Sequence, residues 1–197
     1  MNWTEFAQYY FGERFSGVRF TSEKLQNYHP LASPLCQWIY YSFTNDIEIS
    51  NQDISCPGAR RAINNGVTDQ ELINTIAGNS GIEIQYVEKA LKETPQLDIN
   101  ISGLILGKSQ DDPQIIVGYT EPANVLSLIR KLEENCTQSP DMSKYTMMSV
   151  CGNVIAKSYM KDNIAISFGC PESRKNGGIR PDEVAVGIPI DLVKKLQ

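Results

Sequence analysis

The residues of this chain best suited to chemistry are cysteines that occur twice in the same setting. The phrase Cys56-Pro57-Gly58-Ala59-Arg60-Arg61 returns as Cys170-Pro171-Glu172-Ser173-Arg174-Lys175. Asp46-Ile47-Glu48-Ile49-Ser50 precedes the first copy and Asn163-Ile164-Ala165-Ile166-Ser167 the second. Further back, Cys36 leads through an apolar run to Ser42-Phe43, as Cys151 does to Ser158-Tyr159. Soft thiolates held near one another bind zinc or iron–sulfur clusters. No short Cys-x-x-Cys spacing of the zinc-ribbon kind is present, so the signal is the duplicated context itself. If the halves pack about a pseudo-twofold axis, Cys36, Cys56, Cys151 and Cys170 converge as one metal or reactive-thiol set. The plainer alternative is that each cysteine serves as a small buried apolar residue. Cys136 sits in a polar loop outside the repeat and is read as incidental. The single histidine, His29, lies in a Tyr-His-Pro loop and reads as a solvated loop residue rather than a base.

Basic residues follow each phrase. Arg60, Arg61, Arg174 and Lys175 form a candidate anion site. They would offset the charge of clustered thiolates or hold an anionic ligand by bidentate hydrogen bonds; the alternative is a solvated basic helix face. Asn176-Gly177-Gly178 lacks the lysine and spacing of a phosphate-binding loop,. The Cys-x5-Arg loop of a phosphatase also fails, because position 62 is alanine. With Ser55 as N-cap, Cys56 and Pro57 fall in the first turn of a helix. Free backbone N–H groups and the helix dipole would then favour thiolate over thiol at Cys56.

The elements that must position these groups are legible in outline. Residues 3 to 15 form an aromatic-rich helix, and a strand follows around Gly17 to Phe20. Ser33-Pro34 starts a helix carrying Cys36, Trp38, Ile39 and Phe43. Alternation in Ile47-Glu48-Ile49-Ser50 marks a half-buried strand. Thr68-x-x-Glu71 and Ser80-x-x-Glu83 are capping-box patterns ahead of two helices. These helices have no counterpart in the second half, so residues 64 to 95 read as an insertion that supplies a lid or a contact. Ile99 to Leu106 forms one strand, Ile115 to Tyr119 another, and Pro122 to Glu134 an amphipathic helix. A strand ending near Cys151, a helix or extended run to Tyr159, and a strand over 163 to 168 lead to the second phrase. Val184 to Ile188 is a strand and Ile190 to Leu196 a terminal helix, echoing Ile115-Ile116-Val117-Gly118 and Leu126 to Leu132. The expected fold is mixed α/β, a single domain over 1–197 built around a central sheet. It is internally duplicated, with half one over about 17–135 and half two over about 143–197.

Composition narrows the setting. At 197 residues the chain buries a real core, and its 41% hydrophobic and 21% charged residues are ordinary for a soluble globular protein,. A formal charge of −5 argues against a general binder of nucleic acid or anionic membranes,. No stretch is apolar enough to span a membrane, and the first residues lack a signal core, so the expected location is cytoplasmic. An odd count of five cysteines argues for free thiols or a metal site rather than disulfides,.

One resemblance rests on particular residues. Cys36-Gln37, Cys56-Pro57-Gly58-Ala59, Val150-Cys151 and Ser167-Phe168-Gly169-Cys170 with Ser173-Arg174 form a pattern that ends in Pro181-Asp182-Glu183-Val184-Ala185-Val186-Gly187-Ile188-Pro189. This pattern resembles the ArCR family of archaea and anaerobic bacteria, domain of unknown function 169. The resemblance covers nearly the whole chain and departs from the family at the capped helix pair over 68–93. It implies an anaerobic setting where an oxygen-sensitive cluster persists, which tilts the metal from zinc toward iron–sulfur. The expectation is a cysteine-ligated metal protein with a redox or sulfur-related role, partnered by a small anionic ligand or a redox partner, with a homo-oligomer left open. Three ligating cysteines would leave a position open to substrate, and four would suit electron transfer or a structural role. Two rivals stand beside it: a metal-free domain binding a small anion through Arg60 and Arg174, and a helix-turn-helix regulator using the pair over 68–93. Glu83 and Glu88 on the would-be recognition helix work against the latter.

Overall fold

A computed structural model describes residues 2–25, 31–135 and 139–196, so the readings of His29 and Cys136 lie outside the described residues. Its strands are β1 (Phe15–Thr21), β2 (Ile47–Ser50), β3 (Gly103–Gly107), β4 (Ile115–Thr120), β5 (Asp141–Met142), β6 (Ala165–Ser167) and β7 (Val184–Pro189). Rich in β-branched residues that suit a pleated, packed surface, they join in one seven-stranded sheet ordered β2-β3-β1-β4-β7-β6-β5. Its pairs are antiparallel except β5 with β6.

Helices cover both faces. On one lie α1 (Trp3–Phe11), α6 (Pro122–Asn135) and α9 (Ile190–Leu196), whose apolar residues meet Ile116, Val184, Val186 and Ile188. On the other lie α2 (Leu35–Tyr41), α3 (Pro57–Ala62), α4 (Asp69–Ser80), α5 (Ile84–Glu93), a π-helical segment Ser149–Ala156 and α7 (Lys157–Lys161). Their core includes Ile115, Val117, Tyr119 and Ala185 from the sheet. A short helix, α8 (Pro171–Lys175), packs against α2. The alternation along β4 and β7 therefore feeds two cores, and the mixed α/β expectation holds. No described helix is long and apolar enough to cross a membrane.

The two halves meet at β4 and β7. Val117 pairs with Gly187 and Gly118 with Val186, so the two Val-Gly echoes cross at the centre of the pair. The two glycines face opposite sides of the sheet, and each lets a helix approach. A Cβ on Gly118 would lie 2.3 Å from the Phe11 ring of α1, and one on Gly187 2.8 Å from the Val154 carbonyl of the π-helical segment. Outward from this pair the halves differ. β7 is followed at once by β6, whereas β1 and β3 stand between β4 and β2. The internal duplication expected from the sequence is therefore not confirmed by the strand order, in which β3 stands between β2 and β1. Its backbone groups, with those of β1, find partners only inside the sheet.

Several local expectations need correction. The strand expected to end near Cys151 is instead the π-helical segment, with all eight residues buried. A short apolar run cannot be assigned to strand or helix by periodicity alone. The strand expected over Ile99 to Leu106 begins only at Gly103. The Thr68–Glu71 capping box forms, with Thr68 N–H donating to Glu71 Oε2 at 2.8 Å and Glu71 N–H to Thr68 Oγ1 at 3.3 Å. The one read at Ser80–Glu83 does not; α5 starts at Ile84, with Glu83 at its cap and no side-chain cap bond. The 64–95 segment contributes Leu72, Val87, Ala90 and Leu91 to the core under the sheet.

Gly118→Ala tests the packing at the seam. Overpacking against Phe11 is expected to destabilise the protein by about 1–3 kcal/mol, read as a lowered urea midpoint at unchanged m-value. Phe11→Leu in the same chain is expected to restore part of the loss, and an unchanged midpoint in the single variant would contradict the contact.

Candidate cysteine site

Each cysteine is placed by a different local device. Cys36 sits in the first turn of α2, which Pro34 opens. Cys56 is itself the N-cap of α3, one residue later than the expected Ser55, with Pro57 in the first helical position. Cys170 caps α8 in the same way: its N–H donates to Ser173 Oγ at 2.8 Å, and Ser173 N–H donates to Cys170 Sγ at 3.4 Å. The sulfur thus takes the role of an N-cap oxygen. Cys151 lies within the π-helical segment, a backbone form that recurs at functional sites. That segment begins at Met148, held in a left-handed conformation at φ 48°. Asn153 Nδ2 donates to the Met147 carbonyl at 2.8 Å, and Thr94 Oγ1 at the end of α5 donates to Asn153 Oδ1 at 3.4 Å. The hydroxyls of Ser149 and Ser167 also meet at 2.8 Å, tying the segment to β6.

Packing crosses the halves. α2 rests on α8, and the π-helical segment rests on α3, so each helix cysteine lies toward the Cys-Pro turn of the other half. A Cβ on Gly177, just past α8, would meet Cys36 Cβ at 2.8 Å. All four cysteines line one cavity of about 360 Å³. Cys36 and Cys151 are buried, while Cys56 and Cys170 are half-exposed. Among the described residues, no three His, Cys, Asp or Glu side chains stand close enough to hold a metal ion as they are.

Electrostatics at the thiols differ from the sequence expectation. Burial pushes the Cys56 thiol up, although the N–H groups of Ala59 and Gly58 pull it down. Burial does the same at Cys36, reinforced by Cys170 and Cys56, against the Gln37 N–H. Cys151 is raised well above the ordinary thiol range by burial and then by Cys56, Cys170 and Cys36. The expected helix-start donors are present at Cys56, but they do not make a thiolate there. Desolvation of the charged form is the larger effect.

Two of the four basic residues are turned to other work. Arg61 is buried, with Nε 2.8 Å from Asp69 Oδ1 and the rest of its guanidinium donating to the Thr94 and Leu91 carbonyls. It ties α3 to both helices of the 64–95 segment. Arg174 donates to the carbonyls of Phe168, Arg180 and Glu183, clamping the loop that carries Cys170. Arg60 is half-buried and Lys175 exposed. None of the four lines the cavity. A residue that sequence reasoning missed supports the same loop: Arg14 pairs with buried Glu183 at 2.6 Å, donates to the Gly178 carbonyl at 2.5 Å, and stacks near Phe43 and Tyr119. Reasoning from sequence also missed the cavity's other walls. These are Leu72, Thr75, Ile76 and Ile82 from the 64–95 segment, Met147 and Met148 before Cys151, and Glu172. The departure of the first phrase from the second at Gly58 was a usable signal, since a Cβ there would meet Met148 Cγ at 2.8 Å.

Comparison with known proteins adds a family. The profile of the uncharacterised ArCR family, DUF169, matches residues 11–197. An uncharacterised protein of Methanocaldococcus jannaschii, MJ0308, is 27% identical over 116 residues, 55% of this chain and 50% of its own length. The chain thus spans half the length of that curated relative. No solved structure matches.

The raised thiols set a pH dependence for the metal-free protein. Their folded pKa values lie above the unfolded one, so their contribution to stability is fully present below about pH 8.5. It is lost as pH rises from there through the folded values. Urea titrations at pH 7.5 and pH 10 are expected to show lower stability at the higher pH, with a smaller drop when Cys36, Cys56 and Cys151 are replaced by alanine. An equal drop in both proteins would assign the effect to other groups.

Proposed function

We propose, for a chain that belongs to the ArCR family, that Cys36, Cys56, Cys151 and Cys170 hold a metal centre, an iron–sulfur cluster before zinc. The observation that carries this reading is that both halves send their cysteines to the walls of one cavity. A second support is that each sulfur has a backbone N–H donor: Gln37 for Cys36, Gly58 and Ala59 for Cys56, Gly152 for Cys151 and Ser173 for Cys170. Such donors stabilise metal-bound thiolates and tune their potential. The donor set suits soft metals, while the spacing of the side chains requires them to draw together around the metal.

When bound, an iron–sulfur cluster supplies one-electron redox chemistry, or a Lewis-acid site where a position stays open. The protein's own part is to exclude water, aim N–H groups at sulfur and keep the metal-free Cys36, Cys56 and Cys151 thiols protonated. Binding therefore releases protons, and affinity rises with pH. The adjacent anion site draws little support, because no arginine or lysine lines the cavity and Arg61 and Arg174 are engaged elsewhere. The metal-free module for a small anion loses support with it, and a metal-free site for an uncharged or cationic ligand in the same apolar cavity is the second reading.

Anaerobic purification with iron, acid-labile sulfide and zinc analysis tests this. Coloured protein with iron and sulfide is expected, and single Cys→Ser variants at 56, 151 and 170 are expected to lose most of it. Zinc without sulfide would select the alternative metal. Protein that is metal-free after anaerobic reconstitution, and unchanged by the substitutions, would overturn the centre.

A further inference from the structure

We propose that the cysteine-lined cavity takes a compact apolar molecule that carries one hydrogen-bond donor group and no negative charge. This rests on the reading of that cavity as the functional site, but not on which metal, if any, it holds.

The walls decide the body of the ligand. Leu35, Leu72, Ile76, Ile82, Met147 and Met148 face the space between the cysteines and the 64–95 segment. A volume of about 360 Å³ lies within the range of small-molecule sites,. Two thioethers beside the thiols make the surface soft and adaptable, the kind that accommodates varied apolar shapes.

Charge decides the head. Glu172 is the one charged residue among those lining the cavity, and Asn176 Nδ2 donates to its Oε1, which sets the orientation of the carboxylate. Besides the cysteines, Thr75, whose hydroxyl donates to the Glu71 carbonyl at 2.8 Å, and Thr146 are the other residues with polar side chains among the lining. Of the cations that follow the cysteines in sequence, Arg61 bonds to Asp69, Thr94 and Leu91 and Arg174 to three carbonyls, and neither these two nor Arg60 and Lys175 line the cavity. An entering anion would lose its hydration without meeting a cation and would face Glu172. An amine or hydroxyl instead donates to that carboxylate, the amine with the added strength of a charge-assisted bond. The first phrase has glycine at the position equivalent to Glu172, so the charge sits on one side of the cavity only.

Three probes with one ring skeleton separate these terms: cyclohexylmethylamine, cyclohexylmethanol and cyclohexanecarboxylate. Binding is read by titration calorimetry, and its place by protection of Cys56 and Cys170 from N-ethylmaleimide in peptide mass maps. Both metal-free and reconstituted full-length protein are used, with iron and zinc measured separately. The amine is expected to bind tightest, the alcohol next, and the carboxylate more weakly than the alcohol by about tenfold or more, the loss of one charge-assisted contact or its equivalent in repulsion. Glu172→Gln is expected to bring the amine down to the alcohol. Ile76→Trp and Ile82→Trp, at two half-exposed positions on the cavity wall, are each expected to weaken all three probes by filling the space. Carboxylate binding as tight as the alcohol's, no binding by any probe at millimolar concentration, or binding without thiol protection would each overturn the proposal. Probe binding in a protein that takes up no metal would leave this inference standing and remove the metal centre. Metal uptake without probe binding would do the reverse.

Discussion

The antiparallel pairing of β4 with β7 is the constraint on which the rest of the structure depends. Six consecutive residue pairs join the two halves there, from Ile115 with Pro189 to Thr120 with Val184. Both strands are buried on both faces, so a slip of one residue would exchange every side chain between the two cores,. The register also sets the two glycines that let α1 and the π-helical segment sit close to the sheet. Cys151 reaches its cavity only because that segment lies against β4, β7 and β6. Its partner thiols follow, since α2 and α3 pack against the same segment.

Around the cavity two physical demands oppose each other. Helix starts and turns direct N–H groups at the sulfurs, which favours the charged thiolate. Burial among isoleucine, leucine and methionine opposes it, and in the metal-free chain burial is the stronger term at Cys36, Cys56 and Cys151. At those three positions the neutral thiol is the favoured form. The same low polarity that protects the thiols also selects what else can enter.

The arginines show how a residue's role depends on what surrounds it. Arg61 and Arg174 follow their cysteines closely enough in sequence to suggest ligand contacts. In the fold each answers a backbone problem instead: Arg61 satisfies carbonyls at the end of α5, and Arg174 those of the loop between β6 and β7. A buried carbonyl without a donor costs about 1–3 kcal/mol, a cost that Arg61 removes beside the helix that carries Cys56, while the more exposed bonds of Arg174 tie together the loop that carries Cys170. Arg14 adds a third tie to the second loop through Glu183. The cavity is left without a positive wall as a result.

Much of this was legible in the residues. The paired Cys-Pro phrases, their helix starts, the Thr68–Glu71 cap, the mixed α/β class and the strand–helix endings at 115–135 and 184–196 are local signals. They depend on turn chemistry and side-chain period within a few residues, and sequence carries those directly. The π-helical form of 149–156 was not legible, because a fully buried run shows no period that separates strand from helix,. Nor was the insertion of β1 and β3 between β4 and β2, which depends on which distant edge completes a strand's hydrogen bonds. The repeat suggested that four thiols converge; tertiary structure decided that all four line one cavity, with an apolar wall supplied in part by the 64–95 segment. It also decided that Arg61 and Arg174 bond to backbone carbonyls and Asp69 instead of lining the cavity. Those outcomes depend on burial and on long-range partners for backbone carbonyls, neither of which is encoded in the spacing of the residues themselves.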